Sequence, residues 1–432
     1  MKILNKIKAV CLLLLISGGA FISCNKLEID PTPGTPAPSS AAPTLAALLN
    51  DPSFSLLKAA VTRVGLMPAL ENTVVKYTLF APDDNAIAAS AAILAPGVPP
   101  AAVIASFDDA TLKAILQYHI VPQLIPASSI SANFPNFQYP TILNPLAANP
   151  AAALFRLTTF PSKRANGAWV NNIPITAVDI AASNGIVHKV AGIVLPPQID
   201  LWAKIQTDPG LTYLKAAIAR ADNGVPAGVR LQDALSVTAN SSAIGANLTL
   251  FAPTDAAMSQ FVTGALTQAF IAKGIPAPNA QAAAGLLVTN FGSVLLSDPA
   301  SIPDVLPGIT GLGAQLAAVI TPTLAKGIVA YHVISRQSGT FAPPGIRVFS
   351  VNMPSTATAV KTLLNTAVSV HPGVIVQATF ASPFPGISVV TAATVKGAAN
   401  ATASNVIIGF ASSDLNYLNG VMHKIDQVLL PQ

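Results

Sequence analysis

Apolar positions along the chain alternate between helical and strand-like spacing. Leu56, Leu57, Ala60 and Val61 fall one helical turn apart, so the segment SLLKAAVTR predicts an amphipathic helix. Asp51 and Pro52 ahead of it supply a cap residue and a first-turn proline. The unbroken run TLFAP at residues 78–82 predicts a short buried strand that stops at Pro82, and Asp83-Asp84 then offer cap oxygens to a further helix. Leu112, Ile115 and Leu116 make a second helical stripe, which ends at Tyr118-His119 and hands over to β-branched residues. Asn184-Gly185 predicts a tight turn between antiparallel strands. In the strand after it, Ile186, His188 and Val190 share one face, and Lys189 points to the other.

Every one of these signals returns. DPSFSLLKAAVTR at 51–63 is matched by DPGLTYLKAAIAR at 208–220, and YTLFAPDDNAI at 77–87 by LTLFAPTDAAM at 248–258. KAILQYHIV at 113–121 is matched by KGIVAYHVI at 326–334, and NGIVHKVAGIVLP at 184–196 by NGVMHKIDQVLLP at 419–431. Four blocks in one order mean a duplicated domain. The separation grows from 157 residues at the first block to 235 at the last, far beyond the period of about 20–50 residues that builds a solenoid. The expected domains are residues 45–198 and 199–432, each long enough for its own core. The additional residues of the second copy are expected in surface loops, where length costs little.

The N-terminus reads as an address. MKILNKIK is basic, AVCLLLLISGGAFIS is apolar and of signal-peptide length, and Cys24 follows. Residues 1–23 are therefore expected to be a signal peptide. Residues 24–44, rich in Pro, Ser, Thr and Ala, are expected to form an extended tether. Phe21-Ile22-Ser23-Cys24 resembles a bacterial lipoprotein box, which implies lipidation of Cys24 and a place in the cell envelope, as an outer-membrane lipoprotein exposed at the surface. The only other cysteine, Cys11, lies in the apolar stretch, so no disulfide is expected to support either domain.

Composition removes several function classes. Of the 432 residues, 52% are apolar and only 9% charged, and the net charge of +5 is scattered without a basic stripe, so no nucleic-acid partner is expected. Beyond the N-terminus the apolar stretch 312–334 carries Pro322 and Lys326, and a soluble helix is expected there rather than a membrane span. Four of the five histidines, His119, His188, His332 and His423, occupy repeat positions. Two per domain fall short of the three or four ligands of a zinc site. No G-x-S-x-G elbow, P-loop or G-x-G-x-x-G accompanies them. These rings are expected to bond backbone or Tyr groups inside the fold. His371, in a second-copy insertion, is expected at the surface. Asp83 is replaced by Thr254 in the second copy, which capping explains and catalysis does not, while Asp84 and Asp255 are shared helix-start acids.

Taken together, the TLFAP box, the Tyr-His box and the terminal Asn-Gly box resemble the fasciclin domain, with the fuller boxes in the second copy. The first copy departs at Val190-Ala191, where the second has Ile425-Asp426. The resemblance covers about residues 51–431. It implies an α+β fold of two tandem fasciclin-like domains, each a wedge of small β-sheets packed with helices. Asp84, His188, Asp255 and His423 are then structural motif positions. Tyr118, His119, Tyr331 and His332 correspond to a segment implicated in partner binding. The expected function is a lipid-anchored cell-envelope adhesion or ligand-binding protein, non-catalytic, without cofactor or metal. Its expected partners are the membrane, through the lipid, and a cell-surface or matrix protein or polysaccharide. The alternatives are an envelope scaffold or, less in keeping with the sequence, a glycan-acting hydrolase.

Overall fold

Both faces of the TLFAP strand are apolar because both are covered. A computed structural model describes residues 42–431 apart from 135, 150–152, 165–166, 240–245, 335–346 and 385–386. Its first half contains β1 (Tyr77–Pro82), β2 (Ile120–Val121), β3 (Tyr139–Pro140), β4 (Thr158–Thr159), β5 (Pro161–Arg164), β6 (Gly167–Val170), β7 (Ile173–Ala182) and β8 (Gly185–Val190). A six-stranded sheet runs in the order β2-β1-β8-β7-β6-β5, and β3 and β4 pair alone. From β1, Leu79 and Ala81 enter a core with the helical residues Leu45, Leu57 and Leu112. Phe80 points the other way, into a core with Tyr118, Val170 and Val190. Continuous apolarity is what a strand buried on both faces requires.

The expected turn at Asn184-Gly185 is present, with β7 and β8 antiparallel and Ala182 opposite Gly185. The same β8 lies parallel to β1, and His188 faces Phe80. This pairing explains Gly185 better than the turn does. A Cβ there would sit 2.2 Å from the Tyr77 carbonyl oxygen, and at Gly420 it would sit 2.5 Å from that of Leu248. Glycine is needed for close approach of two backbones.

The second half repeats this frame. Its strands are β9 (Leu248–Pro253), β10 (Val333–Ile334), β11 (Thr358–Val360), β12 (Val374–Phe384), β13 (Ile387–Lys396), β14 (Ser404–Asn405), β15 (Leu415–Tyr417) and β16 (Gly420–Ile425). The order β10-β9-β16-β15 reproduces β2-β1-β8-β7, and a second sheet runs β11-β12-β13-β14. The molecule is thus α+β, two tandem domains of small sheets packed with helices.

The largest insertion of the second copy is not a surface loop. The residues gained ahead of its Tyr-His block fold into helices Ala277–Phe291, Val294–Ser297 and Leu312–Val319. Ala280, Ala284, Leu287, Leu295, Leu312 and Leu316 from them are buried in the helical core of that half. Their alanines and leucines recur at helical spacing, which buries area that a loop would leave wet. The stretch expected as one helix is two, Leu312–Val319 and Pro322–Tyr331, bent by 40°. Thr321 caps the second helix by accepting the Leu324 N–H. Among the described residues no single helix is long and apolar enough to cross a membrane.

Candidate functional site

The repeated polar residues converge on the sheet, and each copy treats them alike. His119 and His332 are the C-caps of helices Asp109–Tyr118 and Pro322–Tyr331. In each ring Nδ1 lies 2.7 Å from the carbonyl four residues back, Ile115 O or Ile328 O. Nε2 accepts from the Val194 N–H at 3.0 Å or the Leu429 N–H at 2.9 Å. A lone pair used this way fixes the proton on Nδ1. Burial pushes both rings down to about 4, against the opposing pull of the carbonyl. Each is a neutral staple between a helix end and the chain leaving the last strand.

His188 and His423 carry the opposite tautomer. Their Nε2–H donates at 2.7 Å to Ile125 O and Val348 O. Their Nδ1 accepts the Asp179 N–H at 3.2 Å and the Asp414 N–H at 3.3 Å. Asp179 and Asp414 both adopt positive φ, 57° and 56°, which turns each N–H onto its ring. Each ring stacks on the aromatic residue of TLFAP, at 5.6 Å for Phe80 and 5.7 Å for Phe251. Burial lowers the pKa of His188, opposed by the Ile125 carbonyl and the charge of Asp179.

Asp84 and Asp255 serve a helix other than their own. Asp83 and Thr254 are the N-caps of the helices that follow TLFAP. Asp84 instead accepts the Leu56 N–H at 2.9 Å and bonds Ser55 Oγ. Asp255 accepts from the Tyr213 N–H at 3.0 Å and from Thr212 Oγ1 at 2.7 Å. These oxygens cap the helices Ser55–Arg63 and Thr212–Ala221, which have no cap side chain at their own N-caps. The sequence placed both residues of each pair on one helix start, and the structure divides them between two.

Two placements correct the sequence expectation. Tyr118, His119, Tyr331 and His332 are no more than 1% exposed. The Tyr118 hydroxyl donates to Thr158 O at 2.8 Å, and that of Tyr331 donates to Gly373 O while accepting the Ala398 N–H. These side chains face inward and offer no partner surface. His371 is also buried rather than at the surface, with Nε2 donating to Pro431 O at 2.9 Å and its ring edge-on to Tyr331. The reason is that His371 sits beside the final strand's exit, not at a loop tip. Cys24 and the expected signal peptide lie outside the described residues. The end of the expected tether does not: Pro43 O accepts the Ser183 N–H, and Thr44 caps helix Leu45–Leu48.

A polar junction between the domains has no counterpart in the repeat. Arg347 is buried, donating to Asn416 Oδ1 at 2.5 Å and Tyr417 O at 2.8 Å, with its guanidinium 5.2 Å from the Phe160 ring centroid. Burial lowers it to about 10, against the opposing influence of Tyr118. Asn352 donates to Ser162 Oγ at 2.6 Å, and Arg164 donates to Asn352 O. Phe160, Trp169, Phe349, Val351 and Val421 form one apolar cluster around these bonds.

Among the described residues no three His, Cys, Asp or Glu side chains gather as a metal site. What the geometry defines is a duplicated α+β module whose invariant polar groups hold its own backbone. The family model for the fasciclin domain matches residues 52–196, the first copy. In the second copy the boxes persist, but inserted helices separate them. Protein sll1483 of Synechocystis sp. is 31% identical over 145 residues, which is 34% of this chain and 68% of that protein. The chain belongs to the fasciclin-domain family. Among solved structures, a FAS1 domain pair from the insect cell adhesion molecule fasciclin I aligns at 14% identity, covering 89% of this chain and 94% of that one, with a TM-score of 0.31. Fasciclin domains are generally adhesion-related and non-catalytic.

Proposed function

We propose that this protein is a lipid-anchored adhesion or ligand-binding protein of the cell envelope, without catalytic activity. The observation that supports it best is the use of the repeated polar residues. All four repeat histidines spend both ring nitrogens on backbone groups, so none has a free lone pair for proton transfer or metal binding. The Phe21–Cys24 box supports lipidation, and the Pro-rich segment after it supports a module held off the bilayer. Tandem domains on one anchor favour multivalent contact.

Two measurements test the reading. Cys24→Ser is expected to release the protein from the membrane fraction and to abolish incorporation of a labelled fatty acid. Deletion of the gene is expected to weaken attachment of cells to at least one of polysaccharide, matrix protein or neighbouring cells. Undiminished attachment to all three surfaces contradicts adhesion.

A further inference from the structure

A cleft of about 460 Å³ opens on the second domain beside helices Leu201–Thr207 and Leu231–Leu235. Trp202 lines it together with Gln206, Arg230, Gln232 and Thr238. Trp202 is partly exposed, whereas the chain's other tryptophan, Trp169, is buried at the domain junction. We infer that this cleft is a binding site for a neutral saccharide, with Trp202 as its stacking platform. The inference rests on the ligand-binding reading above and names the ligand class for one of its domains.

Three observations carry it. First, the wall is built to hold its shape. Asp233 is buried and grips Arg230 through Nε at 3.0 Å and Nη2 at 2.9 Å, while also accepting the Gly228 N–H at 2.6 Å. Asp200, also buried, accepts from the N–H groups of Ala203 and Val237, both at 2.7 Å. With its amide oxygen turned toward Arg230, Gln232 accepts from Nη1 at 2.7 Å, and its own amide N–H groups remain as donors. A site whose polar groups are already oriented loses little freedom on binding.

Second, the charge favours a neutral ligand. The charged groups that line the cleft are already engaged with one another or with backbone, Arg230 by Asp233 and Asp200 by the Ala203 and Val237 N–H groups, so no free charge is left to select an ion. The hydroxyl-rich edge of a sugar suits amide and hydroxyl partners, and its C–H face packs on the electron-rich face of an indole.

Third, the duplication supplies an internal control. Leu45 and Leu201 hold the same place, each giving its N–H to the repeated Asn184 or Asn419. Leu70 and Leu235 likewise both accept from that asparagine. In this register Trp202, Arg230, Gln232 and Asp233 stand where the first domain has Ala46, Gly65, Met67 and Pro68. The chemistry was added to, or kept by, one copy only.

The test uses the full-length protein in a non-glycosidic zwitterionic detergent. Cellohexaose, xylohexaose, chitohexaose and laminarihexaose are titrated by calorimetry and tryptophan emission, with a galacturonate oligomer as the anionic control. At least one neutral hexasaccharide is expected to bind and to change the emission, and the galacturonate is not. Trp202→Ala is expected to weaken binding by about tenfold or more. Because Trp202 also touches the core, Gln206→Ala and Thr238→Ala at exposed positions provide a second measure and are expected to weaken binding with an unchanged melting temperature. Binding by none of the neutral sugars, binding indifferent to all three substitutions, or capture of a peptide at Trp202 instead would overturn the saccharide site. A strain carrying Trp202→Ala that loses saccharide binding yet still attaches to protein surfaces separates this site from the broader adhesion reading.

Discussion

A neutral imidazole wedged between a carbonyl and an amide stabilises the fold only while it stays neutral. His119 and His332 are lowered to about 4 from an ordinary 6.5. Below about pH 6.5 the unfolded chain takes up protons that the folded chain refuses until about pH 4, so stability falls as pH drops across that window. The full shift is worth roughly 3 kcal/mol per ring. Denaturant midpoints measured from pH 7 to 4.5 are expected to decline steadily, and a flat profile contradicts burial of both rings in the neutral form. Asp208 extends the decline. Its burial opposes ionisation, but bonds from Lys424, the Gly210 N–H and Lys204 outweigh that and hold it at about 2, so its contribution fades as pH falls from about 4 toward 2. His423→Ala leaves Val348 O and the Asp414 N–H buried and unpaired, and is expected to cost about 1–3 kcal/mol in an unfolding titration. Strand alternation showed that His188 and His423 turn inward. It could not show the same for Tyr118-His119, because a residue at a helix end can face either way until the neighbouring strand fixes it.

Caps act between elements as much as within them. Asp84→Ala and Asp255→Ala are each expected to destabilise by about 1 kcal/mol through helices that lie before them in sequence. Amide exchange at Leu56 and Tyr213 should accelerate, and protection unchanged at both would refute the long-range cap. Gly185→Ala pushes a methyl into the Tyr77 carbonyl and is expected to cost roughly 1–3 kcal/mol by prising β1 from β8. The strands themselves were legible from apolar runs and the Asn-Gly turns. Their parallel pairing was not, since partners more than a hundred residues apart leave no local signal. The largest insertion misled for a related reason. Comparison of copies marks where length was gained, but only the helical recurrence of Ala280, Ala284 and Leu287 tells that the gain is packed.

At the scale of the molecule, the junction joins the domains through groups that appear once. Arg347 and Phe349 flank Val348, the counterpart of Ile125, where the first copy has Leu124 and Pro126, so the two copies share the place but not the chemistry. Burying Phe349 between Phe160 and Val421 ties unfolding of one domain to the other. The wild type is expected to unfold in one calorimetric transition. Phe349→Ala, a large-to-small core change worth about 3–5 kcal/mol, is expected to split it into two, with Trp169 emission reporting exposure of the junction. A single transition retained in that variant argues that the domains are coupled elsewhere. One detail at the head of the first domain bears on mechanics. Pro43 O and the Leu45 N–H are bonded to Ser183 and Asn184, at the doorstep of β8. Tension arriving through residue 43 therefore passes directly into the last strand of the domain, which lies alongside β1, and bypasses the helices between. To lengthen under a pull, the module must give up its first and last segments together.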